Sequence, residues 1–171
     1  SKVDRIALKQ LYDKRIDIKR LSLYRIKQPF TVPVKTPKAT ITERESFFVE
    51  VEDWAGRIGI SECVSFKTNW YLPETIEEDF RVVRDVIAPI VLGERYIHPS
   101  QVSRSLATFA DLARYPMAKA AVEPALWDLY GKIVGKPLSK LIGGSNQEKI
   151  LGGAVIGLGT ADEVCAQVDV A

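Results

Sequence analysis

The spacing of apolar residues changes character once along this chain, and that change limits the folds open to it. Up to Cys63 apolar and polar residues tend to alternate; beyond Pro73 apolar residues recur every three to four positions. Alternation is the signature of a strand with one face buried, and the longer period that of an amphipathic helix. Strands first and helices after them predict an α+β domain in which the helices cover one face of an antiparallel sheet.

Residues 18–27 (IKRLSLYRIK) read as the first strand. Pro29, Pro33 and Pro37 follow and predict a stiff, extended loop, because proline has no N–H to give to a central ladder. Residues 40–52 read as a second strand with Phe47, Val49 and Val51 on one face, Asp53-Trp54-Ala55-Gly56 as a turn, and residues 57–63 as a third strand. The expectation is a three-stranded antiparallel meander. Residues 1–12 partly repeat the pattern of 18–29: Val3-x-Arg5-Ile6-x-Leu8-x-x-Leu11 against Ile18-x-Arg20-Leu21-x-Leu23-x-x-Ile26. The first copy could be an edge strand, a short helix or a loose extension, and an extension is the reading preferred here.

Pro73 opens a helical pattern through Ile76, Phe80, Val83 and Ile87, which Pro89 is expected to close. A second helix is expected over 99–112 through Val102, Leu106, Phe109 and Leu112. A third is expected over 117–134, kinked or short of one hydrogen bond at Pro124 and stopped by Gly135. Residues 138–142 form a short turn, and the run ILGGAVIGLG reads as a strand buried on both faces. Thr160 then caps a last helix. That helix reaches Ala171 without a stop signal, and a lone strand plus helix is half of a βαβ unit, so the chain is expected to be incomplete at its C-terminal end.

Charge is uneven. Residues 1–38 hold eleven Lys/Arg against three Asp/Glu, and the rest of the chain thirteen against nineteen. The basic residues alternate with apolar ones rather than forming a block, which argues for the solvated face of a strand over a nucleic-acid site. No run approaches the roughly 20 apolar residues of a membrane span, and no signal-peptide pattern opens the chain. Cys63 and Cys165 sit in neither a metal-type nor a redox-type spacing and read as two free, mostly buried thiols. A cytoplasmic location is expected. His98 reads as a surface-loop residue, and Glu43, Glu45, Glu50 and Glu52 as a solvated strand face rather than metal ligands.

The order of elements is joined by a specific motif string: Ala125-Leu126-Trp127-Asp128-Leu129, Gly135-Lys136-Pro137-Leu138 and Leu141-Ile142-Gly143-Gly144. In that position and order it resembles the enolase superfamily. PFTVPVKTPKATITERESFFVEVED and GISECVSFKTNWYLPETIEE are similar to its o-succinylbenzoate synthase / N-acylamino acid racemase group. Ala39 stands where that group usually has Gly, which restricts the loop, and Pro124 where Met is common. The resemblance covers about residues 18–171. It implies an N-terminal extension (1–17), a capping domain (18–144), and the first strand and partial helix (145–171) of a truncated (β/α)8 barrel.

For the whole protein the resemblance implies a lyase of menaquinone biosynthesis. Such an enzyme removes the proton next to a carboxylate of a small-molecule substrate, using Mg²⁺ or Mn²⁺, and a homo-oligomer is expected. The family's bases and metal ligands lie on later barrel strands, so no catalytic residue, metal ligand or bound cofactor is expected in this chain. By position, Val34 and Lys38 in the Pro-rich loop, and Phe66 and Tyr71 after the third strand, match substrate-facing places. Lys38 could pair with a substrate carboxylate or be merely solvated; Phe66 and Tyr71 could be ordinary core aromatics. Asp128 is expected to be structural, capping or bracing the barrel junction. N-acylamino acid racemase, dipeptide epimerase and muconate cycloisomerase activities are alternatives, as is a non-catalytic capping module.

Overall fold

A computed structural model describes residues 4–144 and 149–170. Val3 of the repeat, the opening of the barrel segment at 145–148, and Ala171 lie outside the described residues.

The meander is present. Strands β1 (Ile18–Lys35), β2 (Thr40–Asp53) and β3 (Ile58–Cys63) form one antiparallel sheet with β2 in the centre. Val49 lies opposite Leu23 on one side and Ser61 on the other. Phe47, Val49 and Val51 are buried, as their alternation requires. The β2–β3 turn closes on Asp53, whose Oδ1 accepts from the Ala55 and Arg57 N–H groups, both at 2.9 Å. Gly56 takes the left-handed backbone of that turn at φ 79°.

Two expectations about β1 and its flank are corrected. The prolines do not end the first strand at residue 27: β1 continues to Lys35, with a break in pairing register between Pro29 and Val34. An edge strand tolerates missing donors where the outer side is solvated. The preceding segment is a helix, α1 (Arg5–Asp13), and not a loose extension. Ile16, after it, exchanges backbone hydrogen bonds of 2.6 and 2.9 Å with Tyr96 and ties this end to the helical layer.

That layer begins with α2 (Ile76–Val82). Thr75 and Glu78 cap it reciprocally, each side chain bonding the other's backbone N–H. Pro89 does not close the helix. A π-helical turn (Val83–Ile87) leads into α3 (Ala88–Gly93), with Pro89 near the start of α3, where a missing N–H costs least. Helix α4 (Pro99–Ala107) is shorter than expected, and a 3-10 turn (Ala110–Arg114) takes the rest of that span. Helix α5 (Pro116–Val134) packs across the sheet, contains Pro124 on its exposed side, and stops at Gly135 in the left-handed conformation. Short α6 (Leu138–Leu141) and α7 (Ala161–Asp169) follow, and Thr160 and Glu163 form a capping box on α7.

Ala118, Ala121, Val122, Ala125, Leu126 and Leu129 of α5 join the β2 residues and Val83, Ile87, Val91, Val102 and Leu106 in one core. The contact is close because Gly59 of β3 lies against α5: a Cβ there would stand 2.0 Å from the Ala125 carbonyl oxygen. Asp128 and Lys132, one turn apart on α5, reach the free edge of β3. Asp128 Oδ2 accepts from the Ile60 N–H at 2.9 Å, and Lys132 Nζ donates to the Ile58 carbonyl at 2.5 Å. Asp128 thus has a structural contact, made with the edge of β3 and not with the expected barrel junction.

Three further expectations change. Residues 150–159 form no strand pairing among the described residues; Leu151 and Val155 are 99% and 96% exposed. A strand meant to be buried on both faces needs parallel neighbours, and the described residues supply none. Cys165 is exposed while Cys63 is buried. His98 is a helix cap and not a free loop residue. Its Nδ1 accepts from the Ser100 N–H at 3.2 Å, and its ring meets Trp127 and Tyr130 edge-on at 5.0 and 5.1 Å. No described helix is long and apolar enough to cross a membrane.

Candidate functional site

The Pro-rich hairpin and the segment after β3 meet at one end of the sheet. Between them lies a groove of about 250 Å³, with Ala39–Glu45 on one wall and Phe66, Lys67, Thr68 and Trp70 on the other.

The hairpin tip is shaped by Thr36. Its Oγ1 accepts from the Lys38 and Ala39 N–H groups at 3.3 and 3.0 Å and donates to the Ala39 carbonyl at 3.0 Å. Pro37 follows Thr36, where its fixed φ suits a tight turn. Among the described residues no non-glycine residue has positive φ, so Ala39 needs no glycine backbone here. Lys38 projects from the tip, exposed. Val34 lies opposite Ile41 across the β1–β2 ladder and is 39% exposed.

On the other wall Phe66, Trp70 and Tyr71 form one aromatic cluster. Phe66 stands 4.8 Å from Trp70 and, edge to face, 6.1 Å from Tyr71. Phe66 is half-buried and Tyr71 is 67% exposed, so Tyr71 is no core aromatic. Of the four expected residues Phe66 lines the groove, while Lys38 precedes the lining residue Ala39, Val34 pairs with the lining residue Ile41 and Tyr71 touches the lining residue Trp70.

Arg44 joins the walls, and the sequence reading missed it. Its guanidinium stacks over Phe66 at 4.1 Å and donates to the Val64 carbonyl. Partial burial strips its hydration and lowers its pKa. Its neighbours Glu43 and Glu45 made residues 43–45 look like a uniformly solvated strand face; the signal available was an arginine one strand away from an aromatic-rich loop. Glu45 takes ion pairs from Lys27 at 3.1 Å and Lys67 at 3.4 Å.

The base of this segment is fastened from below. The Ile76 N–H donates to the Phe66 carbonyl at 2.8 Å. Glu74, buried, accepts from the Met117 and Ala118 N–H groups at 3.0–3.2 Å and so caps α5, whose own N-cap residue Tyr115 offers no side-chain bond. The hairpin also touches the glycine-rich run: the Leu158 N–H donates to the Lys35 carbonyl at 3.3 Å. No group of three or more His, Cys, Asp or Glu among the described residues is placed to hold a metal ion.

Residues 20–143 match the family model described as the mandelate racemase / muconate lactonizing enzyme N-terminal domain. The chain is 34% identical over 154 residues to the o-succinylbenzoate synthase of Bacillus subtilis, covering 90% of this chain and 40% of that protein. It is 35% identical over 133 residues to the o-succinylbenzoate synthase of Geobacillus stearothermophilus, covering 78% and 35%. Among solved structures, the L-Ala-D/L-Glu epimerase of Bacillus subtilis superposes with a TM-score of 0.80 at 25% identity, over 90% of this chain and 42% of that one. The chain spans about 40% or less of the length of these curated relatives.

Proposed function

The chain belongs to the mandelate racemase / muconate lactonizing enzyme family of the enolase superfamily, and from that premise we propose that it is the capping part of an o-succinylbenzoate synthase. The observation that carries this reading is the similarity to synthases of that name over nearly the whole chain. The reaction is loss of water from a cyclohexadiene carboxylate on the route to menaquinone. The proton next to the carboxylate passes to a base, the hydroxyl departs with its bonding electrons and takes up that proton to become water, and the ring becomes aromatic. When bound in the barrel, a divalent cation such as Mg²⁺ or Mn²⁺ would stabilise the negative charge that develops on the substrate carboxylate. That chemistry belongs to the barrel of the whole protein.

This chain contributes selection. Lys38 at the hairpin tip offers a cation to a substrate carboxylate. Val34, Phe66 and Tyr71 present apolar and aromatic surface to the ring. Arg44 holds Phe66 in place by stacking. The whole enzyme works in the cytoplasm as a homo-oligomer.

The test is an assay of the full-length protein with the cyclohexadiene substrate and Mg²⁺. Dehydration that stops on chelation supports the reading; racemisation of N-acylamino acids without any dehydration overturns it. Racemisation is the second reading, favoured by 35% identity over 92 residues to the N-succinylamino acid racemase of Thermus thermophilus.

A further inference from the structure

Beneath the aromatic segment lies a buried acid that the substrate-selecting role does not use. Asp79 of α2 is 0% exposed. Its Oδ2 accepts a short hydrogen bond from Ser65 Oγ, and the Cys63 thiol lies 3.9 Å away. Its Oδ1 is buried without a donor. An ionised carboxylate in that state would be costly: a buried charge needs a partner, and no lysine or arginine among the described residues is paired with this one. The charged and titratable groups facing it are Glu74 from the loop before α2, Glu78 from α2 and Cys63 from β3. All three are acids. The Glu74 carboxylate oxygens accept from the Met117 and Ala118 N–H groups at the start of α5.

A protonated Asp79 resolves the conflict. Its hydroxyl becomes a donor, the adjacent Glu74 carboxylate is the acceptor, and the orphaned oxygen is satisfied. We propose that Asp79 keeps its proton into the neutral range and donates it from Oδ1 to Glu74, so that Ser65, Asp79 and Glu74 form a proton-dependent clasp on residues 64–75. Desolvation, with Glu74 next to it, pushes the Asp79 carboxyl up to about 7, which agrees with the geometry. The Cys63 thiol, raised by burial to about 11, stays protonated alongside it. Loss of the Asp79 proton sets two carboxylates against each other and loosens the segment that holds Phe66 and Tyr71. Asp79 is thus a positioning residue. Its bearing on substrate rests on the preceding functional reading; the clasp itself does not.

The experiment is infrared spectroscopy of the full-length protein. At about pH 6, where ordinary carboxylates are ionised, the wild type should show a protonated-carboxyl band that Asp79→Asn lacks and that fades with a midpoint near pH 7. Absence of the band, or its persistence in Asp79→Asn, overturns the proposal. Glu74→Gln is the second variant. Removing the facing anion should move the midpoint to lower pH, and an unmoved midpoint overturns the pairing with Glu74.

Stability gives an independent readout. The folded-state pKa lies above the unfolded one, so between about pH 4 and pH 7 the folded state holds the extra proton and stability falls as pH rises. The folding constant of Asp79→Asn relative to wild type should therefore grow by about tenfold per pH unit across that window; a flat ratio overturns the proposal. Amide exchange at 64–75, corrected for its intrinsic pH dependence, should accelerate above the midpoint in the wild type only. Equal protection on both sides would exclude the clasp. No readout involves turnover, so failure of the synthase reading and failure of the clasp are distinguishable.

Discussion

At Arg44 one guanidinium crosses from the central strand to the far wall of the groove, so its loss should be felt in folding as well as in binding. Arg44→Ala removes both the stacking on Phe66 and the bond to Val64 and is expected to cost about 1–3 kcal/mol in urea denaturation. Arg44→Lys should recover less than half of that, since an ammonium neither stacks flat nor forks. Lys38 behaves differently, being exposed and free of any ion pair with a described residue. In the full-length enzyme Lys38→Ala should raise KM by about tenfold with kcat little changed, the loss of one charge-assisted bond to substrate, and should leave stability unaltered. Lys38, Val34, Phe66 and Tyr71 are proposed as substrate-facing from their positions in the two loops, and of the four Phe66 lines the groove. Arg44 could not be named from the sequence, because its role comes from a residue twenty positions away, and strand alternation says nothing of which loop folds over a strand.

The elements teach a related lesson. Strands, helices and their caps were readable where local chemistry decides them: Thr160 before its helix, Gly135 after α5, the alternation of Phe47, Val49 and Val51. They were misread where neighbours decide. Proline reads as a terminator at Pro29 and Pro89, yet β1 runs on because it is an edge, and the helix runs on because a π-helical turn resets the register just before Pro89. The run from Ile150 has strand composition but no partner strand among the described residues. Two predictions belong here. Gly59→Ala drives a methyl into the backbone of α5 and should destabilise by about 3 kcal/mol or more in thermal or chemical unfolding, the upper end for overpacking. Pro124→Ala restores a helical N–H on the exposed side of α5 and should raise stability by about 1–3 kcal/mol.

At the scale of the whole molecule, the described residues divide into a well-buried core and an apolar surface with nothing on it. Ile150, Leu151 and Val155 are each at least 85% exposed. A polypeptide of residues 1–171 should therefore self-associate in sedimentation velocity. Replacing Leu151 and Val155 by Ser should shift it towards monomer without changing its circular dichroism.

How it associates is set by the rims of the sheet. On one rim the ladder is broken around Pro29 and Pro33; on the other, Asp128 and Lys132 already occupy the Ile60 N–H and the Ile58 carbonyl. Both rims are interrupted as templates for a stranger's strand, one by prolines that have no N–H and the other by side chains already bonded to it. Clusters of this chain should thus be amorphous and dissolve on dilution, rather than grow as thioflavin-binding fibrils. Asp128→Ala, which uncovers one rim, is the change that should begin to favour fibrils.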